Sequence, residues 1–261
     1  MRANSLLLVA FLWGGLSGVH GASRDAWPAS AYTSARALLQ QLTLDEKVQL
    51  TSGNNAPYKT CHFTRKECSY VGVIAGIPRL GISPIYLEDG PQGVADGMLG
   101  VTQWPSIMTL SQSWRPDVLA RAGAAMGAEQ AAKGSNVMLG PAVALVRVPW
   151  SGRNFEYMSE DPVLNAALAG PLVQGIQSNN ISACVKHWIF NSQETGRSTM
   201  SANVDERVGR ELYEAPYRAA VDSGVGSVMC SFNRINTTYS CANDEGLNTW
   251  LKKDLGFDGF V

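Results

Sequence analysis

Segments with helical spacing alternate with short, almost wholly apolar runs along most of this 261-residue chain. Apolar runs this continuous are typical of strands buried on both faces of a parallel sheet. Helix followed by strand, repeated regularly, predicts crossover units that join parallel strands. The predicted helices cover residues 34–50, 117–133, 161–178, 205–222 and 244–255, and the predicted strands are ISPIYL, SNVMLGPAV, ISACVKHWIF, GVGSVMCSFN and GFDGFV.

Local signals indicate where several of these helices begin and bend. Thr43 with Glu46 three residues later has the spacing of a capping box. Pro171 and Pro216 lie inside two predicted helices, so each helix is expected to kink or to consist of two shorter pieces. An aspartate is expected to cap each of three later helices: Asp161, Asp205 and Asp244.

Two architectures fit repeated crossover units, the doubly wound sheet and the (β/α)₈ barrel. No GxGxxG or GxxxxGK[ST] sequence follows any predicted strand, which disfavours a nucleotide-binding sheet. A full barrel needs about 250 residues. We therefore predict an α/β fold of the (β/α)₈ TIM type that is incomplete, with about five or six βα units over residues 34–261.

Charge and composition exclude several classes of protein. The net charge is −1 and no run of Lys and Arg occurs, whereas a nucleic-acid partner requires a basic surplus or patch. There is no CxxC pair, so we expect no zinc site. The sequence predicts no metal, no cofactor and no nucleic acid, and it does not indicate an oligomeric state.

The N-terminus predicts secretion. Arg2 precedes an apolar run at residues 6–16 and small residues follow, which is the layout of a signal peptide covering residues 1–21. The run is too short to cross a bilayer as a helix, and no later segment is long and apolar enough. Two sequons, at Asn180 and Asn236, fit an extracellular glycoprotein.

The cysteines fit the same compartment. Two pairs flank short loops and are possible disulfides: Cys61 with Cys68, and Cys230 with Cys241. Cys184 lies in an apolar run and is expected to be a buried free thiol.

Polar side chains are concentrated where the predicted strands end, which is where the active site of a barrel lies. Asp89, Arg153 and the Lys186–His187 pair each follow or end such a strand. Carboxylate, guanidinium, ammonium and imidazole groups together suit a polyhydroxyl ligand, because each sugar hydroxyl both donates and accepts. Apolar walls for a sugar ring could come from three aromatics: Phe155, Trp188 and Phe232.

Each of these residues also has a purely structural interpretation. Asp89 before Gly-Pro could cap a turn. Arg153 could pair with Glu156 or Asp161 at a helix start. Neighbours on a strand point to opposite sides, so only one of Lys186 and His187 would face a pocket unless the strand has already ended.

Taken together, these stretches resemble family 3 glycoside hydrolases, and among them the secreted fungal-type β-glucosidases. The resemblance covers residues 34–261, with the matching motifs in family order. They are EDGPQGV at 88–94, GPAVALVRVPWSGRNFEYMSEDPVL at 140–164, GIQSNNISACVKHWIFNSQE at 175–194, then DERVGRELYEAPYRAAV and MCSFNRIN.

The resemblance implies removal of a terminal non-reducing β-D-glucosyl residue from cellobiose and other β-glucosides by a retaining mechanism. Such a mechanism uses an Asp nucleophile and a Glu acid/base. The implied sugar-binding residues are Asp89, Arg153, Lys186 and His187. The family's nucleophile follows the GF-x-G-x-V strand and is expected about three positions after Val261, and its acid/base comes from a downstream domain. The resemblance therefore implies that this chain is inactive by itself, with no catalytic carboxylate of its own.

Two departures from the family pattern concern the sugar site. Ala95 stands where relatives often have Arg, and Phe232 where they often have Tyr. KHWIFNSQE differs from the KHFPG-like stretch of the branch that acts on N-acetylated sugars, which disfavours that branch. A β-xylosidase of the same family and a non-catalytic sugar-binding protein remain as alternatives.

Overall fold

The structure is a computed structural model that describes residues 28–53, 70–95 and 98–261. The predicted signal peptide and the possible Cys61–Cys68 disulfide lie outside these ranges. Across the described ranges, every helix is too short or too polar to cross a membrane.

Strands and helices alternate as the sequence pattern predicts. The strands are β1 (Gly72–Ile74), β2 (Ile85–Asp89), β3 (Val137–Leu139), β4 (Ser182–Trp188), β5 (Ser201–Ala202), β6 (Ser227–Cys230), β7 (Arg234–Ile235) and β8 (Thr238–Tyr239). The α-helices are α1 (Ala29–Leu39), α2 (Leu44–Thr51), α3 (Ile107–Ser111), α4 (Pro116–Ala132), α5 (Pro162–Gln177), α6 (Glu206–Val208) and α7 (Ala215–Asp222). Short 3₁₀ helices are Pro78–Leu80, Asn154–Glu156 and Ser240–Ala242, and π-helices are Gly209–Tyr213 and Glu245–Asp254.

The main sheet is mixed and curls into part of a barrel. Its order is β1-β2-β3-β4-β6, with β1 antiparallel to β2 and the other pairs parallel. Phe260 adds one parallel bridge to Ser227 on the far side of β6. The described residues thus contain four strand–helix units and the start of a further strand, fewer than the five or six predicted, and a full barrel is not seen. A separate small sheet has the order β5-β7-β8.

The two faces of the main sheet carry different cores, as strand alternation requires. Met138, Ala183 and Val185 pack against the helices in the large core, together with buried side chains of α4, α5 and α7. Val137 and Cys184 point the other way and form a small cluster inside the curl. The curl therefore has an interior, and polar side chains at its open end can converge.

Helix ends follow the predicted signals with one exception. The Thr43–Glu46 capping box is present, and Asp161 accepts a hydrogen bond from the Val163 backbone N–H at 2.8 Å. Asp244 does not cap: its side chain accepts from Asn248 at 2.6 Å instead. The reason is that Asp244 already has helical φ and ψ angles, whereas an N-cap residue needs an extended backbone.

The prolines behave differently from each other. Pro171 lies within a continuous α5, so that helix is not divided into two shorter pieces, and the alternative expectation, a kink, stays a prediction. Pro216 lies in the first turn of α7, directly after the π-helix Gly209–Tyr213, so the predicted helix over 205–222 is indeed made of separate pieces. A proline in a first helical turn removes no hydrogen bond, which explains its position there.

The described cysteines and the two sequon asparagines differ in their exposure to solvent. Cys230 and Cys241 form a disulfide that joins the end of β6 to the 3₁₀ helix Ser240–Ala242. Cys184 is free and buried, and burial raises the pKa of its thiol to about 11. Both sequon residues, Asn180 and Asn236, are exposed, so their glycosylation stays a prediction that the fold permits.

Candidate active site

A cleft of about 570 Å³ opens at the carboxyl edge of the parallel strands. It brings together all four predicted sugar-binding residues. Asp89 is the last residue of β2, Lys186 and His187 lie near the end of β4, and Arg153 lies in the connection from β3 to α5. These residues are distant in sequence, and the parallel topology is what places them at one edge.

Lys186 is a cation held inside the curl. Its side chain is 3% exposed, and its Nζ lies 3.5 Å from Asp89 Oδ1 and 3.8 Å from Glu156 Oε2. A buried ammonium is costly unless it is paired, and here two carboxylates share it. The pairing holds Asp89 at the cleft while leaving that carboxylate 41% exposed and open to a ligand.

Arg153 is fixed from several sides. Its Nε and Nη2 donate to the two oxygens of Glu156, each at 3.1 Å, and its Nη1 lies 3.7 Å from Glu194 Oε1. A bidentate guanidinium–carboxylate pair restricts the side chain to one orientation. The structural interpretation, pairing with Glu156, and the functional one, lining the cleft, are therefore both true of Arg153.

His187 is held in one neutral tautomer. Its Nε2 lies 2.9 Å from Arg153 Nη2, and because a guanidinium can only donate, this nitrogen must carry the lone pair. The proton is then on Nδ1, which donates to Tyr157 Oη at 3.1 Å. Burial, together with the positive charges of Arg153, Lys186 and Arg197, lowers the pKa of His187 to about 2.

Lys186 and His187 both face the cleft although they are neighbours on β4. The pairing of β4 with β6 shifts register between Val185 and Trp188, which is a local irregularity of the bulge type. Regular alternation would have turned His187 toward the helices. The shift instead sends Trp188 there, where it is fully buried against Tyr217.

Of the three aromatic residues expected to form apolar walls for a sugar ring, one lines the cleft. Phe232 lines the cleft and is 53% exposed. Trp188 belongs to the core, so its predicted role is wrong, and its indole N–H donates to the Gly246 carbonyl at 3.0 Å. Phe155 is half-exposed but does not line the cleft; its carbonyl accepts a hydrogen bond from Gln92, which does.

Two charged residues of the site were not identified from the sequence. Arg197 lines the cleft, lies over the Phe232 ring at 4.6 Å, and donates to Glu194 at 2.7 Å. Glu194 thereby lies between the Arg197 and Arg153 guanidinium groups. Both residues lie in the loop that follows β4, the strand that carries the Lys186–His187 pair, and their position after that strand was the available signal.

The charged groups thus form one connected cluster rather than separate contacts. Across the described ranges, no group of three His, Cys, Asp or Glu side chains is arranged to hold a metal ion. What the cluster offers is fixed donors and acceptors around an open volume. That arrangement suits a neutral ligand with many hydroxyl groups.

The sequence matches the model for the "Glycosyl hydrolase family 3 N terminal domain" over residues 66–261. Beta-glucosidase 1 of Saccharomycopsis fibuligera is 39% identical over 256 residues, which are 92% of this chain and 28% of that protein. Probable beta-glucosidase M of Emericella nidulans is 40% identical over 253 residues, 92% of this chain and 31% of that protein. The chain therefore spans less than a third of the length of these relatives.

Solved structures show the same relationship. Beta-glucosidase 3B from Thermotoga neapolitana, in complex with alpha-D-glucose, superposes with a TM-score of 0.81 at 36% identity, covering 87% of this chain and 33% of that chain. The beta-D-glucoside glucohydrolase from Trichoderma reesei also gives 0.81 at 36% identity, covering 90% and 32%. The mixed, curled sheet described above is thus shared with these proteins.

Proposed function

This chain belongs to glycosyl hydrolase family 3, and from that premise we propose that its cleft binds the terminal non-reducing glucosyl residue of a β-glucoside. The observation that carries the proposal is the convergence of Asp89, Arg153, Lys186 and His187 on one cleft. The two relatives from Saccharomycopsis fibuligera and Emericella nidulans are named as a β-glucosidase and a probable β-glucosidase, and the solved Thermotoga neapolitana relative holds glucose. The whole protein would then be a secreted β-glucosidase.

The side chains have distinct parts in holding the sugar. The half-exposed Asp89 carboxylate accepts from sugar hydroxyls, since its pairing with Lys186 at 3.5 Å is loose enough to admit a competing donor. The Arg153 guanidinium and the Lys186 ammonium have no acceptor atoms and can only donate hydrogen bonds to the sugar. Neutral His187 donates or accepts only as Arg153 and Tyr157 allow, so the sugar must displace one of these contacts to reach the ring.

We propose that both catalytic carboxylates lie outside these 261 residues. A retaining glycosidase needs a nucleophile and an acid/base about 5–5.5 Å apart. The family pattern predicts the Asp nucleophile about three positions after Val261. In support, Phe260 pairs in parallel with β6, with Val228 N donating to Phe260 O at 3.0 Å, so the chain there runs toward the cleft edge.

Calorimetric titration of the 261-residue chain with glucose tests the binding role. We expect weak, saturable binding that Asp89→Ala reduces about tenfold or more, because a charge-assisted hydrogen bond contributes about 1.5–3 kcal/mol. Asp117→Ala is the matched control, since Asp117 is paired with Arg115 on the surface of α4, outside the cleft. Equal affinity of the Asp89 variant and the unchanged chain would contradict the proposal.

The same preparation tests where the nucleophile comes from. We expect no turnover of an aryl β-glucoside by the 261-residue chain, because no covalent glycosyl intermediate can form without the nucleophile. Turnover that Asp89→Ala abolishes would show that a carboxylate within these residues does the chemistry.

A further inference from the structure

The last residues of β4 are held by hydrogen bonds that do not belong to the strand ladder. The pairing of β4 with β6 is interrupted between Val185 and Trp188, so regular pairing does not fix the backbone there. Side-chain donors from later in the chain bind the carbonyl groups of this segment instead. Tyr217 Oη donates to the His187 carbonyl at 2.6 Å. Ser240 Oγ donates to the Trp188 carbonyl at 2.5 Å.

Two side chains that follow β6 hold the next carbonyl, that of Ile189. Ser231 Oγ donates to it at 3.0 Å and Asn233 Nδ2 at 3.1 Å. Both donors are buried, with Ser231 2% and Asn233 0% exposed. The Ser231 backbone N–H also donates to the Trp188 carbonyl at 2.7 Å. A carbonyl oxygen accepts through two lone pairs, and both donors on Ile189 come from the same short segment, so the position of this carbonyl is fixed relative to that segment.

The Asn233 amide is better explained by positioning than by stability. Its Nδ2 also donates to the Arg234 carbonyl at 3.1 Å, but its Oδ1 is buried and has no hydrogen-bond partner within the described residues. An unsatisfied buried oxygen costs free energy, and an apolar side chain of the same shape avoids that cost. What asparagine adds at this position is therefore the bond that holds the Ile189 carbonyl.

The segment after β6 connects the two sides of the cleft. Lys186 and His187 precede the held carbonyl on β4, and both face the cleft because of the register shift. Phe232 lies between the two donors in sequence, is 53% exposed, and lines the same cleft. Movement of the segment would change the distance between the polar and the apolar side of a bound sugar ring, and small displacements of this kind weaken binding.

We propose that Ser231 and Asn233 are positioning residues of the sugar site. Through the Ile189 carbonyl they set the direction of the Lys186–His187 pair relative to Phe232. The inference rests on the proposed function for the identity of the ligand, a terminal glucosyl residue. Neither residue is proposed to touch the sugar, since both are buried and neither lines the cleft.

The test titrates glucose calorimetrically into the 261-residue chain carrying Ser231→Ala or Asn233→Leu. Each variant removes one donor, and leucine keeps the branched shape of the asparagine side chain. Each should lower glucose affinity about tenfold, because hydrogen bonds to charged groups lose much of their strength when they are misdirected.

The matched control is Ser227→Ala. The Ser227 hydroxyl is also fully buried and also donates to a β4 carbonyl, that of Ala183 at 2.9 Å, but at the other end of the strand. Its removal should leave glucose affinity unchanged.

The ring nitrogens of His187 give a readout that a merely structural role would not move. In the unchanged chain their nuclear magnetic resonance signals should be those of one tautomer, with the proton on Nδ1, held between Arg153 and Tyr157. Ser231→Ala or Asn233→Leu should loosen these contacts, so that the tautomers exchange and the two nitrogen signals move toward each other at about pH 7. Ser227→Ala should keep the single-tautomer signals even if it lowers the free energy of unfolding as much.

A folded Ser231→Ala variant that keeps the single-tautomer signals would overturn the inference, and so would one that keeps the full glucose affinity of the unchanged chain. This variant loses a single hydroxyl oxygen, so it decides the question if Asn233→Leu does not fold. The His187 signals need no sugar. They therefore decide this inference even if the unchanged chain binds no glucose, a result that would overturn the proposed function alone.

Discussion

At the scale of single residues, Arg153 decides which nitrogen of His187 carries the proton. The guanidinium occupies Nε2 and Tyr157 receives the Nδ1 proton, so neither nitrogen is free to accept a second proton. Burial and the surrounding cations then make the imidazolium unfavourable, and the pKa of His187 falls to about 2. The ring is therefore a fixed neutral hydrogen-bonding group over the whole physiological range.

This state predicts a pH-dependent stability. Because the pKa is lower in the folded chain than the unfolded value of about 6.5, the unfolded state binds more protons below pH 6.5, and stability falls as pH falls toward 2. His187→Gln should destabilise the chain at pH 7, but the gap between variant and unchanged chain should shrink by about 2 kcal/mol at pH 5. Urea unfolding at the two pH values measures this.

The unchanged chain is its own reference in that experiment, because all other titrating groups are common to both proteins. A gap of equal size at pH 7 and pH 5 would show that His187 protonates equally in the folded and unfolded states.

The sequence could indicate which residues line the cleft but not the direction in which each side chain points. Asp89, Arg153, Lys186 and His187 were identifiable because each lies at the end of an apolar run. The sequence could not show that Lys186 and His187 both point into the cleft. That direction depends on the register shift between β4 and β6, and β6 lies some forty residues later in the chain.

At the scale of elements, α4 and α5 approach each other through glycines. A Cβ on Gly123 would lie 2.6 Å from the Leu172 carbonyl oxygen, one on Gly127 2.4 Å from that of Ile176, and one on Gly175 2.2 Å from that of Ala120. All of these contacts are with backbone, which cannot move aside cheaply. The glycines therefore set the distance between the two helices, and with it the position of the β3–α5 connection that carries Arg153.

Gly175→Ala should destabilise the chain by about 2 kcal/mol or more, since overpacking against backbone outweighs the roughly 1 kcal/mol by which Ala is the better helix former. Gly53→Ala is the control: a Cβ there has no atom of the described residues within 4 Å, and we expect a change within about 0.5 kcal/mol. Chemical denaturation followed by circular dichroism compares them. Similar midpoints for both variants would show that the helix pair can separate at little cost.

Helices were predictable as elements because capping and periodicity are local. Asp161 capped α5 as expected, and the bounds of α4 and α5 differ from the predicted ones by a residue or so. The helix predicted over 244–255 is present as Glu245–Asp254, but its π-helical hydrogen bonding was not predicted, and neither was the 3-residue strand β1, because these features have no distinct local pattern.

At the scale of the whole molecule, the Cys230–Cys241 disulfide connects the end of β6 in the main sheet to the 3₁₀ helix Ser240–Ala242, which directly follows the small sheet's strand β8. The disulfide closes the segment from Cys230 to Cys241, which contains β7 and β8. Phe232, which lines the cleft, lies near the start of the same segment. A cross-link stabilises mainly by limiting the unfolded chain. The small sheet would otherwise depend on few buried contacts, because β8 is wholly exposed.

Replacing both cysteines, as Cys230→Ser/Cys241→Ser, should lower the free energy of unfolding by about 3 kcal/mol, as expected for closing a loop of this length (sequence separation 11). Urea unfolding without reductant measures the difference. With reductant present the two proteins should unfold alike, and any other cysteine contributes equally to both. A difference that persists in reductant would assign the loss to the serines instead.

The amino-acid sequence by itself determined the helix–strand alternation, the resemblance to its family, and the identity of the polar residues at the strand ends, because each depends on neighbours in the chain. The tertiary structure decided what depends on distant segments meeting: the antiparallel β1, the four strand–helix units, the burial of Trp188, and the contacts of Arg153 with Glu194 and His187. Charges pair through space, so no periodicity along the chain records which carboxylate a guanidinium will find.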